Sequence, residues 1–173
     1  NDTSNGSRSN TGHVRIYENT SGSMWTKLGQ DIDGEAAGDQ SGFSVSLSSD
    51  GSTVAIGSRY NDGNGLQAGH VRIYDYNGST WVQVGTDIDG EAAGDKSGLS
   101  VSLSSDGTIL AVGAEANDGA NGSDSGHVRV FQYQVISGTA TWTQLGQDID
   151  GEAAGDGSGR SVSLSSDGTR VAI

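Results

Sequence analysis

The chain has 173 residues, and 9 Lys and Arg against 22 Asp and Glu leave it a net charge of −13, which repels nucleic acid and anionic membrane surfaces and excludes both as expected partners. It has no Cys, so no disulfide framework forms and the redox compartment stays open, and it contains neither an apolar run long enough to span a bilayer nor an opening signal peptide. Val, Ile, Leu and Phe together fall below the fifth of residues under which a highly charged chain is usually disordered, but they sit in short alternating runs among 29 Gly and many Ser, a pattern of thin sheets packed through small residues.

The first predicted strand is Gly12-His13-Val14-Arg15-Ile16-Tyr17. A loop from Glu18 to Met24 precedes a second, Trp25-Thr26-Lys27-Leu28-Gly29, and Asp31 to Gly42 then crosses onward without helical periodicity. From Ser41 to Leu47, Phe43, Val45 and Leu47 alternate with Ser44 and Ser46, as in a strand with unlike faces. Ser48-Ser49-Asp50-Gly51 is a tight turn, because Asp bonds its own backbone and Gly accepts positive φ, and a strand from Ser52 to Gly57 follows at once. A Gly- and Asn-rich loop around Asn61-Asp62-Gly63-Asn64-Gly65 leads to Gly69-His70-Val71-Arg72-Ile73-Tyr74, where the pattern starts again.

That return defines a repeat. The Gly-His-Val-Arg strand recurs at Gly126-His127-Val128-Arg129-Val130-Phe131, the three copies being 57 residues apart each time. Trp25, Trp81 and Trp142 are spaced by 56 and then 61 residues, so length varies only between strands, chiefly in the loops Asp75 to Thr80 and Gln132 to Thr141. Self-similarity at this period means stacked units, none of which buries its apolar face alone. Four antiparallel strands per unit predict an all-β fold, a β-propeller of four-stranded blades. Residues 1–30 are then a half-blade (third and fourth strands), 31–86 and 87–147 a blade each, and 148–173 a half-blade (first and second strands), making three blade-equivalents. Closed propellers use about four to eight blades, so further blades or copies of the same chain are expected to complete the edges, as a ring or a filament.

The stretch Gly34-Glu35-Ala36-Ala37-Gly38-Asp39, then Ser41-Gly42-Phe43-Ser44-Val45, the Asp50-Gly51 turn and Val54-Ala55-Ile56-Gly57 resembles the FG-GAP repeat of the integrin α-subunit N-terminal propeller and its secreted relatives. The resemblance covers nearly the whole chain and implies propeller blades and an extracellular, secreted or cell-surface setting. Family members often carry an Asp-x-Asp-x-Asp-Gly calcium loop between their first two strands. Here that turn is Ser-Ser-Asp-Gly, leaving only Asp50, Asp106 and Asp167, and one carboxylate cannot supply the six to eight oxygens calcium takes, so these residues read as turn formers.

The densest acidic clusters are Asp31, Asp33, Glu35 and Asp39, with copies Asp87, Asp89, Glu91, Asp95 and Asp148, Asp150, Glu152, Asp156. Carboxylates two apart in a Gly-containing loop can share a hard cation, calcium before others, whereas the resemblance makes the same stretch a blade-to-blade connector; both readings stand. His13, His70 and His127 invite zinc or acid–base roles, but no Cys or second His lies near any of them in sequence, and equivalent positions are held apart by the blade repeat, so they read as packed structural residues. The three Trp read as packing anchors, with sugar stacking as the alternative. Asn1, Asn5, Asn19, Asn77 and Asn121 head Asn-x-Ser/Thr motifs, either glycan acceptors of a secreted protein or a product of Ser-rich loops. Ser, His and Asp are too common here to define a triad, and a catalytic centre would require one copy to differ from the others, so no enzyme is expected. The expected function is a structural or adhesive extracellular propeller segment; the alternative is a propeller that recognises glycan or protein through its loops, assisted by calcium.

Overall fold

The computed structural model describes residues 10–173. Among them are fourteen strands and no helix. In chain order these are β1 (His13–Asn19), β2 (Trp25–Asp33), β3 (Ser44–Leu47), β4 (Thr53–Ser58), β5 (His70–Tyr76), β6 (Trp81–Gln83), β7 (Ile88–Asp89), β8 (Ser100–Leu103), β9 (Ile109–Ala114), β10 (His127–Ile136), β11 (Thr139–Gln144), β12 (Ile149–Asp150), β13 (Ser163–Leu164) and β14 (Val171–Ala172). They form four antiparallel sheets: the hairpin β1–β2, the meander β3–β4–β5–β6 with β7 also on β5, the meander β8–β9–β10–β11 with β12 also on β10, and the hairpin β13–β14.

The strand pairs follow the repeat. Val54 faces Tyr74 and Ile56 faces Arg72 in the first meander, as Leu110 faces Phe131 and Val112 faces Arg129 in the second. One feature departs from the alternation read in the sequence. Ile32, Ile88 and Ile149, placed by the sequence at the opening of the next unit, pair back onto the Gly-His-Val-Arg strand of the sheet before them, with Ile88 opposite Val71 and Ile149 opposite Val128. A repeat of the structure is therefore a sheet together with the acidic segment that leaves it. Two residues are too few to display a period, and burial of Ile32 and Ile88 supplies the reason for the pairing.

The core lies between sheets. One cluster joins Val14, Ile16 and Ile32 of the β1–β2 hairpin to Val54, Ile56, Tyr74 and Trp81 of the first meander. The other joins Ala55, Val71, Ile73 and Ile88 of that meander to Val101, Leu103, Leu110, Val112 and Phe131 of the second. Strands β4 and β5 are therefore covered on both faces, and their residues are buried in succession rather than alternately. The first strands differ by position: Leu99, Val101 and Leu103 are buried, whereas Phe43, Val45 and Leu47 are about half exposed, at 47%, 53% and 49%.

Each Ser-Ser-Asp-Gly turn is closed by its own side chains. Asp50 Oδ1 accepts from the Ser52 amide and from the hydroxyls of Ser48 and Ser52, while Ser48 Oγ accepts from the Thr53 amide, and Asp106 and Asp167 repeat the set. The Ser52 amide and the two hydroxyls hold the Asp50 carboxyl down at about 2, and Ser165 with Thr169 hold Asp167 down at about 2. Asp106 is lowered by the Ser104 hydroxyl and the Thr108 amide. Since an unfolded Asp titrates near 3.9, these bonds stabilise the fold fully above that value and lose their effect as pH falls toward 2. Thermal melting between pH 5 and pH 2 should thus fall steeply, and fall less in an Asp50→Asn/Asp106→Asn/Asp167→Asn variant.

Candidate functional site: the junction between repeats

Successive sheets approach so closely that glycine is required at their contact. A Cβ on Gly57 would lie 2.0 Å from the Gly98 carbonyl oxygen of the next repeat, and one on Gly113 would lie 2.0 Å from that of Gly159. The same carbonyls accept from Ser44 Oγ and Ser100 Oγ at 2.7 Å. In return the amides of Leu103 and Leu164 donate to Ser46 Oγ and Ser102 Oγ of the preceding repeat, both at 2.9 Å. The serines that alternate with apolar residues in the first strand are thus cross-repeat partners, not a solvent face.

Tryptophan seals the contact of the β1–β2 hairpin with the first meander and that of the first meander with the second. Trp81 Nε1 donates to the Leu28 carbonyl, its ring lies over Gly29, and its backbone amide and carbonyl are both taken by the side chain of Gln30. Trp142 Nε1 donates to the Val84 carbonyl and its ring lies over Gly85. Trp81 is 3% exposed; Trp25 is 65% exposed and departs from the expected anchor role, because no strand lies before the β1–β2 hairpin among the described residues to receive it.

The acidic segments form the rest of the junction, and their carboxylates have separate tasks. Asp39 and Asp95 are buried: each accepts from an amide of its own loop, Ala36 or Ala92, and from the side-chain amide of Asn61 or Asn117 in the following repeat. Asp156 makes only the loop bond, from the Ala153 amide. Asp33 and Asp89 offer backbone carbonyls rather than carboxylates, accepting from Arg72 and Arg129 of the next repeat at 2.8 and 2.6 Å. Asp150 and Glu152 stand at the last such segment. Asp31 pairs with Arg15 and Lys27, whose hydrogen bonds hold its carboxyl far below the usual range. The four carboxylates of one segment do not converge on a shared point.

Two other groups do converge. Glu35 of one repeat meets His70 and Asp87 of the next, and Glu91 meets His127 and Asp148 in the same way, with the ligand atoms of each set within 4.8 Å of one another. His70 Nδ1 lies 3.5 Å from Asp87 Oδ2 and 3.9 Å from Glu35 Oε2; for His127 the corresponding distances are 3.7 and 4.0 Å. Arg72 and Arg129 stand beside Glu35 and Glu91, at 3.5 and 3.7 Å. Burial pushes both histidines below their ordinary pKa, so each ring is neutral at pH 7 and these contacts are not ion pairs there. Packed the histidines are, but no protein group hydrogen-bonds His70 Nε2. Glu35 and Asp87 lie on either side of His70 and distant from it in sequence, and only the packing of successive sheets brings the three together. Arg72 and Arg129 are buried as well, and an Arg recurring inside an apolar strand is the sequence signal of a fixed partner.

The glycan candidates divide in the same manner. Asn1 and Asn5 lie outside the described residues. Asn19 and Asn77 are exposed, and their side-chain carbonyls cap the turns that follow them. Asn121 donates its side-chain amide to the Gly151 carbonyl of the next repeat at 2.7 Å, which engages the nitrogen a glycan would be joined to.

No curated protein matches the chain. Among solved structures, a Bacteroides fragilis protein provisionally named 6-phosphogluconolactonase superposes with a TM-score of 0.52 at 21% identity over 82% of this chain, a likeness of fold alone. The chain spans only 34% of that protein. The family model described as FG-GAP repeat matches residues 32–74 and 84–131, more than half of the sequence and including both junction glutamates, and on that match the chain belongs to the FG-GAP repeat family.

Proposed function

We propose that the chain is a non-enzymatic, extracellular propeller segment with a structural or adhesive role, whose two outer faces join further repeats of the same kind. Membership of the FG-GAP family supports a propeller-type repeat domain; the setting, the assembly and the closure of the blades are this reading's own. The observation that carries it is the junction, whose bonds recur at equivalent residues between successive sheets, with its halves left open toward both ends. On the β1–β2 hairpin, Trp25 and Arg15 are exposed where Trp81 and Arg72 are buried. On the second meander, Gly146 has nothing within 4 Å of its Cβ position, whereas the equivalent Gly29 and Gly85 each hold a tryptophan ring. A heterologous face of this kind repeats head to tail, closing into a ring or extending as a filament.

Sedimentation of the chain over a range of concentrations tests it, with negative-stain images of the heaviest fraction. Mass should rise with concentration, and Trp25→Ala should return it to that of the monomer. A chain that stays monomeric at every concentration, or assembles equally well without Trp25, would refute the docking of outer faces. Calcium has no part in this reading, and melting is expected to be unmoved by it.

A further inference from the structure

We propose that two of the three junctions each bind one divalent transition-metal ion of the zinc class, through Glu35, His70 and Asp87 between the β1–β2 hairpin and the first meander and through Glu91, His127 and Asp148 between the two meanders. The sites lie away from the Ser-Ser-Asp-Gly turns, and they do not depend on whether the outer faces associate.

Three observations carry the assignment. Each set joins one imidazole nitrogen to two carboxylate oxygens, a donor mixture suited to zinc and its neighbours; calcium takes oxygen alone. The histidine is fixed: His70 and His127 have side chains 1% and 2% exposed, with Nδ1 directed at both carboxylates but hydrogen-bonded to neither. Nε2 of His70 has no partner, so moving the ring proton there when Nδ1 takes a metal breaks no existing bond. The arrangement also occurs twice with nearly the same distances, at equivalent positions of the repeated sequence.

Two of the three ligand spacings are close to what the ion requires, and the third, between the two carboxylates, lies within 4.8 Å. Zinc bonds of about 2.0–2.1 Å place tetrahedral ligand atoms about 3.3 Å apart. The 3.5 Å between His70 Nδ1 and Asp87 needs almost no change, and the 3.9 Å to Glu35 closes by a small swing of a side chain that is 47% exposed. A solvent molecule fills the fourth position. Two carboxylates balance the charge of the ion, while Arg72, at 3.5 Å from the other oxygen of Glu35, opposes it and keeps the affinity below that of an all-protein zinc centre. The bound ion would tie the connector of one repeat to the third strand of the next.

The test is titration of the chelator-stripped chain with Zn²⁺ at neutral pH, followed calorimetrically and by metal content after desalting, with Ca²⁺ in parallel. Two zinc ions per chain are expected, one in Glu35→Gln and none in Glu35→Gln/Glu91→Gln. Both glutamates are exposed, so these variants should fold, and melting without metal verifies it. His70→Ala should likewise lose one ion if it folds. No uptake by the wild-type chain, unchanged uptake in the double variant, or displacement of zinc by equimolar calcium would each overturn the proposal. None of those results would bear on the association of outer faces.

Discussion

Replacing Trp81 by Ala is expected to destabilise the protein by about 3–5 kcal/mol, the range for removing a buried large aromatic, while Trp25→Ala should change stability by no more than about 0.5 kcal/mol. Both residues occupy the same place in the repeat, so helix or strand propensity and local sequence are nearly held constant. What differs is the neighbour. Trp81 fills the junction with the β1–β2 hairpin, with its ring 5.2 Å from that of Tyr76 and its indole nitrogen bonded to the Leu28 carbonyl, whereas Trp25 is 65% exposed. Trp142, partly buried over Gly85, should fall between them. Urea denaturation followed by far-ultraviolet circular dichroism, at a dilution where the chain is a monomer, gives the comparison. Equal losses for Trp25→Ala and Trp81→Ala would show that the residue acts within its own sheet and that the junction account of tryptophan is wrong.

Gly113→Ala should cost about 3 kcal/mol or more, at the upper end of what overpacking a well-filled interior costs. The added methyl would stand 2.0 Å from the Gly159 carbonyl oxygen and 2.4 Å from Ser100 Oγ, so it attacks both the close approach of the sheets and the hydroxyl-to-carbonyl bond that spans them. Gly57→Ala should behave alike at the seam between the two meanders. Neither glycine has a positive φ, which separates this steric requirement from the conformational one. Gly138 is the matched control: it has φ +82° and nothing within 4 Å of its Cβ position, so Gly138→Ala should cost only the left-handed penalty of about 1–2 kcal/mol. Differential thermal melting of the three variants is the measurement; a Gly113 effect no larger than that of Gly138 would mean the sheets can separate freely.

Strand pattern and turn chemistry were legible in the sequence because both are local. Val45 and Leu47 alternate with serine, and the Asp50-Gly51 turn is closed by side chains between Ser48 and Thr53. The junction was not, since its bonds join residues of different copies: Asp39 to Asn61, Arg72 to the Asp33 carbonyl, Ser44 to the Gly98 carbonyl. A residue present in every copy reads as something its own unit needs, yet here it serves the unit beside it. For that reason the acidic segment resembled one cation loop when its carboxylates in fact disperse, and the histidines looked isolated when two acids stand next to each. The Trp25 exception follows from the same cause, since identical sequence positions acquire different burial from what precedes them.

The apolar clusters at Ile73 with Leu110 and at Ile16 with Ile56 belong to seams, not to layers. A single meander cut from this protein would be wet on both sides and should not fold by itself. Thermal opening should therefore fray inward from the β1–β2 and β13–β14 hairpins, with amides of β4, β5 and β9 exchanging slowest, and each repeat spliced in should add one seam and delay that fraying by one more step.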